Sequence, residues 1–257
     1  MLRCKSVRYL QSPSPCFGCY SWNNSAEYFS EHNSYKHLAA QISRYKTVLE
    51  IGCGTGQSTL ALLKEGHSVI ALDQNPYCIS KALNLISASQ YSIKDSLCEL
   101  TENSVCFIEC DVTDEANVND LLSGANIDIV ICWNVGTYWD IEKEKDIFQK
   151  MLQYGLTIEQ IRQNPESSYG ELVIWNSCRI AKDKNCAIQI VDRAVYKLTK
   201  VSDHYYVTLK KEFGFKNIKY INMKAKTLSF GGRQLITNGK VNIEREIPII
   251  FTSILMN

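Results

Sequence analysis

Val48-Leu49-Glu50-Ile51-Gly52-Cys53-Gly54-Thr55-Gly56 decides the reading of this chain, because a short apolar run ends there in three glycines one residue apart. Thr47–Ile51 reads as a buried strand, and Gln57–Leu63 reads as the start of a helix. Glycine in such a turn adopts positive φ without a Cβ clash and lets the backbone approach a ligand closely. The N–H groups at the start of the following helix lack intrahelical partners and can meet ligand oxygens. A nucleoside-like ligand is expected; the bland alternative is a tight strand–helix turn that binds nothing.

The spacing narrows the ligand. A dinucleotide fingerprint runs Gly-x-Gly-x-x-Gly, its third glycine permitting close helix–strand packing. Here the pattern is Gly-x-Gly-x-Gly, with Gln57 where that third glycine should stand. Glu50 directly before the loop would oppose a pyrophosphate and suits a ligand carrying positive charge. No Gly-Lys-Ser/Thr follows, so the loop is not a P-loop.

Working outward, apolar runs alternate with helical patterns, the signature of βαβ units and a parallel sheet. Strands are predicted over Thr47–Ile51, Ser68–Asp73, Ser104–Glu109, Ile127–Trp133 and Gly170–Asn176. Asn75-Pro76 is a helix start, with Ile79, Ala82, Leu83 and Ile86 on one face. Asp114, Asp140 and Ser202 are the expected caps of three more helices, the last stopped by Gly214. Tyr35, Leu38, Ile42 and Tyr45 form the stripe of an earlier helix. Residues 154–169 read as a helix running into a loop at Pro165, part of a lid; 187–198 fit strand or helix. Asn238-Gly239 between two β-like runs signals a terminal hairpin. The expected architecture is an α/β three-layer sandwich, a mostly parallel seven-stranded sheet ending in an antiparallel hairpin. An irregular arm over 1–25 precedes a single domain over 26–257.

With these elements in place, Val48–Gly56 resembles the first motif of the class I S-adenosylmethionine-dependent methyltransferases. That cofactor has no phosphates and carries a sulfonium and an ammonium, in keeping with Glu50. The resemblance spans roughly residues 26–257 and implies a set of cofactor contacts. Glu50, Gly52, Cys53, Gly54 and Gly56 form the loop. Asp73, about 20 residues past it, accepts the ribose hydroxyls, with Gln74 beside it. Asp111 meets the adenine amino group and Val112 packs on the ring. Trp133 and Asn134, ending the fourth strand, line the methionine portion.

Composition sets outer bounds. The chain has 257 residues, 45% hydrophobic and 21% charged, which fits one soluble domain. The longest apolar run, Ile127–Trp133, is too short to span a membrane and is broken by Asp128. No secretory signal is read at the N-terminus. A net charge of +1 with scattered basic residues disfavours a nucleic-acid partner. Eleven cysteines, an odd count, mostly lie in apolar runs as small hydrophobes, so a reducing cytoplasm is expected. Cys4, Cys16 and Cys19 lack a second pair to complete a zinc site, and no metal is expected.

Methyl transfer from a sulfonium needs alignment more than acid–base help, and no catalytic dyad stands out. Tyr20, Trp22, Tyr138 and Trp139 are candidates for the substrate wall, with Tyr28 and Trp133 as further aromatics near it. His32 and His37 read as solvated helix residues rather than bases. Asn134-Val135-Gly136-Thr137 departs from the Asn-Pro-Pro-Tyr pattern of amino-directed nucleic-acid methyltransferases. The expected function is methyl transfer to a small-molecule acceptor. The alternatives are an RNA or protein methyltransferase and, in another class, an NAD(P)-linked oxidoreductase or a non-catalytic nucleoside-binding protein. The oxidoreductase should show a Tyr-x-x-x-Lys helix beside the cofactor, and none is placed suitably. Oligomeric state is not set by any of these features.

Overall fold

A computed structural model of the chain describes residues 17–135, 144–228, 236–237, 240–241 and 245–257. In chain order the elements are α1 (Phe17–Glu31), α2 (Ser34–Ala40), β1 (Thr47–Ile51), α3 (Gln57–Lys64), β2 (Ser68–Asp73), α4 (Pro76–Ala88), β3 (Ser92–Ile93) and β4 (Ser104–Glu109). They continue with α5 (Glu115–Leu121), β5 (Ile129–Trp133), α6 (Glu144–Tyr154), α7 (Ile158–Gln163), α8 (Pro165–Asp183) and β6 (Ala187–Ala194). The last are α9 (Tyr205–Glu212), β7 (Ile218–Leu228), β8 (Ile236–Thr237), β9 (Lys240–Val241) and β10 (Glu246–Met256).

Eight strands form one sheet in the order β3-β4-β2-β1-β5-β6-β10-β7. The pairs from β3 to β6 are parallel, and β10 runs antiparallel to both β6 and β7. The expected count of seven misses β3, a two-residue edge strand too short to leave a pattern. Alternation along each strand sends residues to opposite faces, and two cores result. Val48, Val69, Ile129 and Ile131 pack under α1–α4, whereas Leu49, Ile51, Val130 and Cys132 pack under α5–α9. That is the three-layer sandwich. No helix of the described residues is long and apolar enough to cross a membrane.

The bounds of β1, β2 and β4 agree residue for residue with expectation. Asn75 caps α4 by accepting the Tyr77 N–H at 3.0 Å, with Pro76 in the first turn. Asp114 caps α5. Cys53, Cys106, Cys110, Cys132 and Cys178 are buried free thiols.

Other expectations are corrected. Gly170–Asn176 is not a strand but the middle of α8. Tyr169, Leu172, Val173, Asn176, Ser177 and Ile180 are all buried, and their spacing follows the helical period. Asn164 accepts the Ser167 N–H and Pro165 opens the helix, the same Asn-Pro start as at 75–76. Residues 154–169 accordingly hold the end of α6, all of α7 and the start of α8. The ambiguous 187–198 segment resolves into β6 over Ala187–Ala194, with residues 195–198 irregular.

Near α9 the side chain that serves the first turn is Asp203, accepting the Tyr206 N–H at 3.0 Å, not Ser202. Ser202 instead closes a turn with Thr199. Gly214 ends that region at φ +71°, as expected. Helix α1 begins at Phe17, inside the segment expected to be irregular. β8 and β9 pair antiparallel on either side of the expected turn. Asn238, Gly239 and Asp140 lie outside the described residues.

Candidate active site

The C-terminal ends of β1, β2, β4 and β5 open onto a cleft of about 1010 Å³, mouth included. Ends of parallel strands are where open α/β sheets hold ligands. The glycine loop forms part of its wall and is tied to β2: Gly52 and Cys53 both donate to the Leu72 carbonyl, at 2.8 and 3.0 Å. Gly52, Gly54 and Gly56 all have positive φ, at +72°, +54° and +90°. Their neighbourhoods differ. A Cβ on Gly54 would stand in open space, whereas one on Gly56 would lie 2.9 Å from the Cα of Ala82 in α4. Gly56 does not line the cleft; it allows α3 to pack against α4. The close-packing role assigned to the missing glycine at 57 is thus performed by Gly56.

Asp73 lines the cleft with its carboxylate already organised. Oδ2 accepts the Gly54 N–H and Oδ1 the Asn75 N–H, each at 2.8 Å. Burial pushes its pKa up to about 6, against the lowering effect of those two bonds. Gln74, Cys53, Val112 and Trp22 also border the cleft. So do Phe29 and Tyr35, aromatics the sequence did not single out for the site.

Three proposed cofactor residues lie behind the wall rather than on it. Gly56 is one. Glu50 is only 2% exposed and does not line the cleft. Its Oε1 accepts the Ser58 hydroxyl and its Oε2 accepts that of Thr59 at 2.6 Å, fastening the first turn of α3 to β1. Burial raises its pKa to about 7, outweighing the two hydroxyls. Its charge therefore acts from beneath the loop, not by contact. Asp111 is also off the cleft. Its Oδ1 accepts the Thr113 N–H at 2.9 Å, the Thr113 hydroxyl at 2.8 Å and the Tyr169 hydroxyl at 2.9 Å.

Tyr169 is the residue sequence reasoning missed. It projects from α8 to the cleft wall, 2% exposed, and also accepts a hydrogen bond from Gln74 Nε2 at 3.0 Å. One phenol thereby joins the ends of β2 and β4. The signal was present in the helical spacing of 169–180 but was obscured by the strand reading.

At the other end, Trp133 borders the cleft but its indole is committed to the core. Nε1 donates to Gln189 Oε1 at 2.9 Å, and the ring stacks on Tyr35. Tyr28 is buried and stacked on His32, away from the cleft. His32, in the turn between α1 and α2, and His37, on α2, are exposed. Tyr20 has a helical backbone, its side chain lying outside the described residues, as do Tyr138 and Trp139. Asn134 occupies the left-handed region at φ +50°, and neither amide atom, both buried, has a hydrogen-bond partner among the described residues. Asn134, Val135 and Arg193 also border a second, larger cavity, about 1970 Å³ with its open mouth, between β5, β6, α8 and α9.

Among the described residues no group of His, Cys, Asp and Glu is arranged to hold a metal ion. The cleft fits a nucleoside with an amino-acid tail: open space over Gly54, an acceptor carboxylate at Asp73 and an apolar wall at Val112.

Known proteins bear on this geometry. Residues 48–154 match the family described as "Methyltransferase domain". No curated protein matches the chain by sequence. Among solved structures, a candidate RNA methyltransferase of Pyrococcus horikoshii is 10% identical, with 96% of this chain and 93% of that one covered and a TM-score of 0.51. Precorrin 8W decarboxylase of Methanobacterium thermoautotrophicum is 16% identical, covering 87% and 89%, TM-score 0.47. Magnesium protoporphyrin IX methyltransferase of Synechocystis PCC 6803, with bound S-adenosylmethionine, is 11% identical, covering 88% and 79%, TM-score 0.43. The match to a methyltransferase domain thus covers residues 48–154, less than half of the chain, and the likeness to the Pyrococcus structure shows a shared fold.

Proposed function

We propose that the chain transfers the methyl group of S-adenosylmethionine to a small-molecule acceptor. The nucleoside lies over Gly52–Gly54 and the acceptor occupies the second cavity. The observation that carries this reading is that the two cavities meet at Asn134, Val135 and Arg193. A donor in one and an acceptor in the other would come together at that seam, and alignment is the main requirement of a direct displacement.

When bound, S-adenosylmethionine supplies an electrophilic methyl group on a sulfonium. Asp73 and Gln74 would hold the ribose, and Val112 would cover one face of the adenine. Asp111, held by Tyr169 and Thr113, would act on the adenine edge from behind the wall. Phe29 and Trp22 would flank the mouth. Acceptors that must lose a proton need a base, and Asp192 in the second cavity is placed to serve one.

A concave site favours a small acceptor over a polymer. Glu171, Asp192 and Asp203 line the second cavity, and these carboxylates would repel a phosphate backbone. The test is to incubate the protein with methyl-labelled S-adenosylmethionine and separate low-mass metabolites, RNA and protein as acceptors. Label is expected in the low-mass fraction. Label confined to RNA or to protein sinks the small-molecule reading.

A further inference from the structure

We propose that the second cavity selects acceptors carrying a protonated amine, with Glu171 as the anchor for that cation. This rests on the small-molecule reading above and names its substrate class.

The carboxylates of the cavity are held in unequal ways. Asp203 accepts the Tyr206 N–H at 3.0 Å and the Tyr220 hydroxyl. Asp192 accepts the Arg193 N–H at 2.7 Å and the Tyr206 hydroxyl at 3.2 Å. Glu171, on α8, has neither a hydrogen bond nor an ion pair among the described residues, though it is partly buried. Its oxygens keep some contact with solvent, and with no protein donor on them they are open to a ligand cation. A ligand ammonium would supply both the charge and the N–H donors.

Two further observations point the same way. The Asn134 amide, buried at the seam and without a partner among the described residues, leaves an oxygen and an N–H₂ for a ligand. Its backbone is held at φ +50°, and strain of this kind collects at functional positions. Tyr205 and Tyr206 also line the cavity, and aromatic faces attract ammonium groups. The cavity's basic side chains are Arg193, at the seam beside Asp192, and His204. Neither pairs with Glu171, so an anionic acceptor would meet an uncompensated carboxylate there.

The experiment uses protein saturated with S-adenosylhomocysteine and measures binding by calorimetry. The probes are 2-phenylethylamine and 1,4-diaminobutane, set against 2-phenylethanol and 3-phenylpropionate. At least one amine should bind about tenfold more tightly than the alcohol and carboxylate, the scale of one charge-assisted hydrogen bond. Glu171→Gln should weaken the amine about tenfold and leave S-adenosylhomocysteine affinity unchanged. It should leave the thermal midpoint of the ligand-free protein unchanged or slightly raised, because a partly buried charge without a protein donor is removed; a glutamate with a structural role would lower it. Failure of both amines to bind, equal binding of the neutral or anionic probes, or amine affinity indifferent to Glu171→Gln overturns the proposal. So does labelled methyl transfer to low-mass acceptors that lack an amine, which leaves the small-molecule reading standing. Failure of S-adenosylhomocysteine to bind strikes the cofactor assignment instead.

Discussion

Asp73 and Glu171 are both partly buried carboxylates lining a cavity at the end of the same sheet, and they are held in opposite ways. Asp73 is clamped by two backbone N–H groups, one from the glycine loop and one from the start of α4. Glu171 has no donor among the described residues. The contrast extends to the surroundings. In the cofactor half, Glu50, Asp111 and Tyr169 are each tied to named partners. At the seam with the acceptor half, Asn134 has no partner for either amide atom among the described residues. A site for one invariant ligand can be built complete before the ligand arrives, because preorganised dipoles need no rearrangement on binding. Polar groups left open in the other half require the ligand to finish the network, which is how a site discriminates among acceptors.

The largest expected effect tests how rigid the cofactor half is. Gly56→Val demands φ near +90° from a β-branched residue and places Cβ 2.9 Å from Ala82 Cα. Left-handed strain and overpacking together should cost about 3 kcal/mol or more in urea unfolding. A loss below about 1 kcal/mol would mean that α4 yields easily and the cofactor half is not preorganised.

Asp73→Ala comes next. Two backbone donors lose a charged acceptor, each bond being worth about 1.5–3 kcal/mol. S-adenosylhomocysteine affinity should fall by about 100-fold or more in calorimetry, with far-UV circular dichroism unchanged. Asp73→Asn keeps one accepting oxygen and should fall by about tenfold. Equal losses in the two variants would show that Asp73 acts by charge alone and not by ordering the loop.

The same contrast explains what could be read from the sequence. The cofactor half is local: nine consecutive residues carry the glycine loop, and β1, β2 and β4 are continuous apolar runs with clear ends. Its misreadings concern direction rather than position. Glu50 follows a run whose residues alternate between faces, and the sequence did not reveal that its carboxylate turns under α3 toward Ser58 and Thr59. The acceptor half is assembled from Asn134, Glu171, Asp192 and Tyr206, contributed by four separate elements. No local pattern marks such a set. There the run Glu171-Leu172-Val173-Ile174-Trp175 looked like a strand because a short window of apolar residues satisfies both periods. Only the longer helical spacing through Ile180, with Asn164-Pro165 at its start, decides for the helix.

Tyr169 stands on the border between the halves, projecting from an acceptor-side helix into the cofactor wall. Tyr169→Phe removes one hydroxyl that bridges Gln74 and Asp111. One hydrogen bond of this kind is worth about 1 kcal/mol, so S-adenosylhomocysteine should bind about fivefold more weakly. Michaelis constants for the cofactor should rise while kcat changes little. A fall in kcat alone would move Tyr169 to the acceptor half.

The smallest effect is a pH dependence peculiar to the cofactor half. Glu50 and Asp73 have pKa values raised by burial to about 7 and about 6. An acid that holds its proton more tightly folded than unfolded stabilises the fold when protonated. For Glu50 that contribution is complete below its ordinary value of 4.5 and is lost as pH rises to about 7. Ligand-free protein should therefore lose stability across this window, and Glu50→Gln should flatten the profile. The same ionisation favours a cation above the loop. Affinity for cationic S-adenosylmethionine should rise relative to neutral-sulfur S-adenosylhomocysteine as pH passes from about 6 to about 7. In Glu50→Gln the gain should shrink to about threefold or less, Asp73 alone remaining. An affinity ratio flat with pH in the wild-type protein would show that the charge beneath the loop plays no part in choosing the methyl donor, leaving the open space over Gly54 and the clamped Asp73 to make that choice by shape and hydrogen bonding.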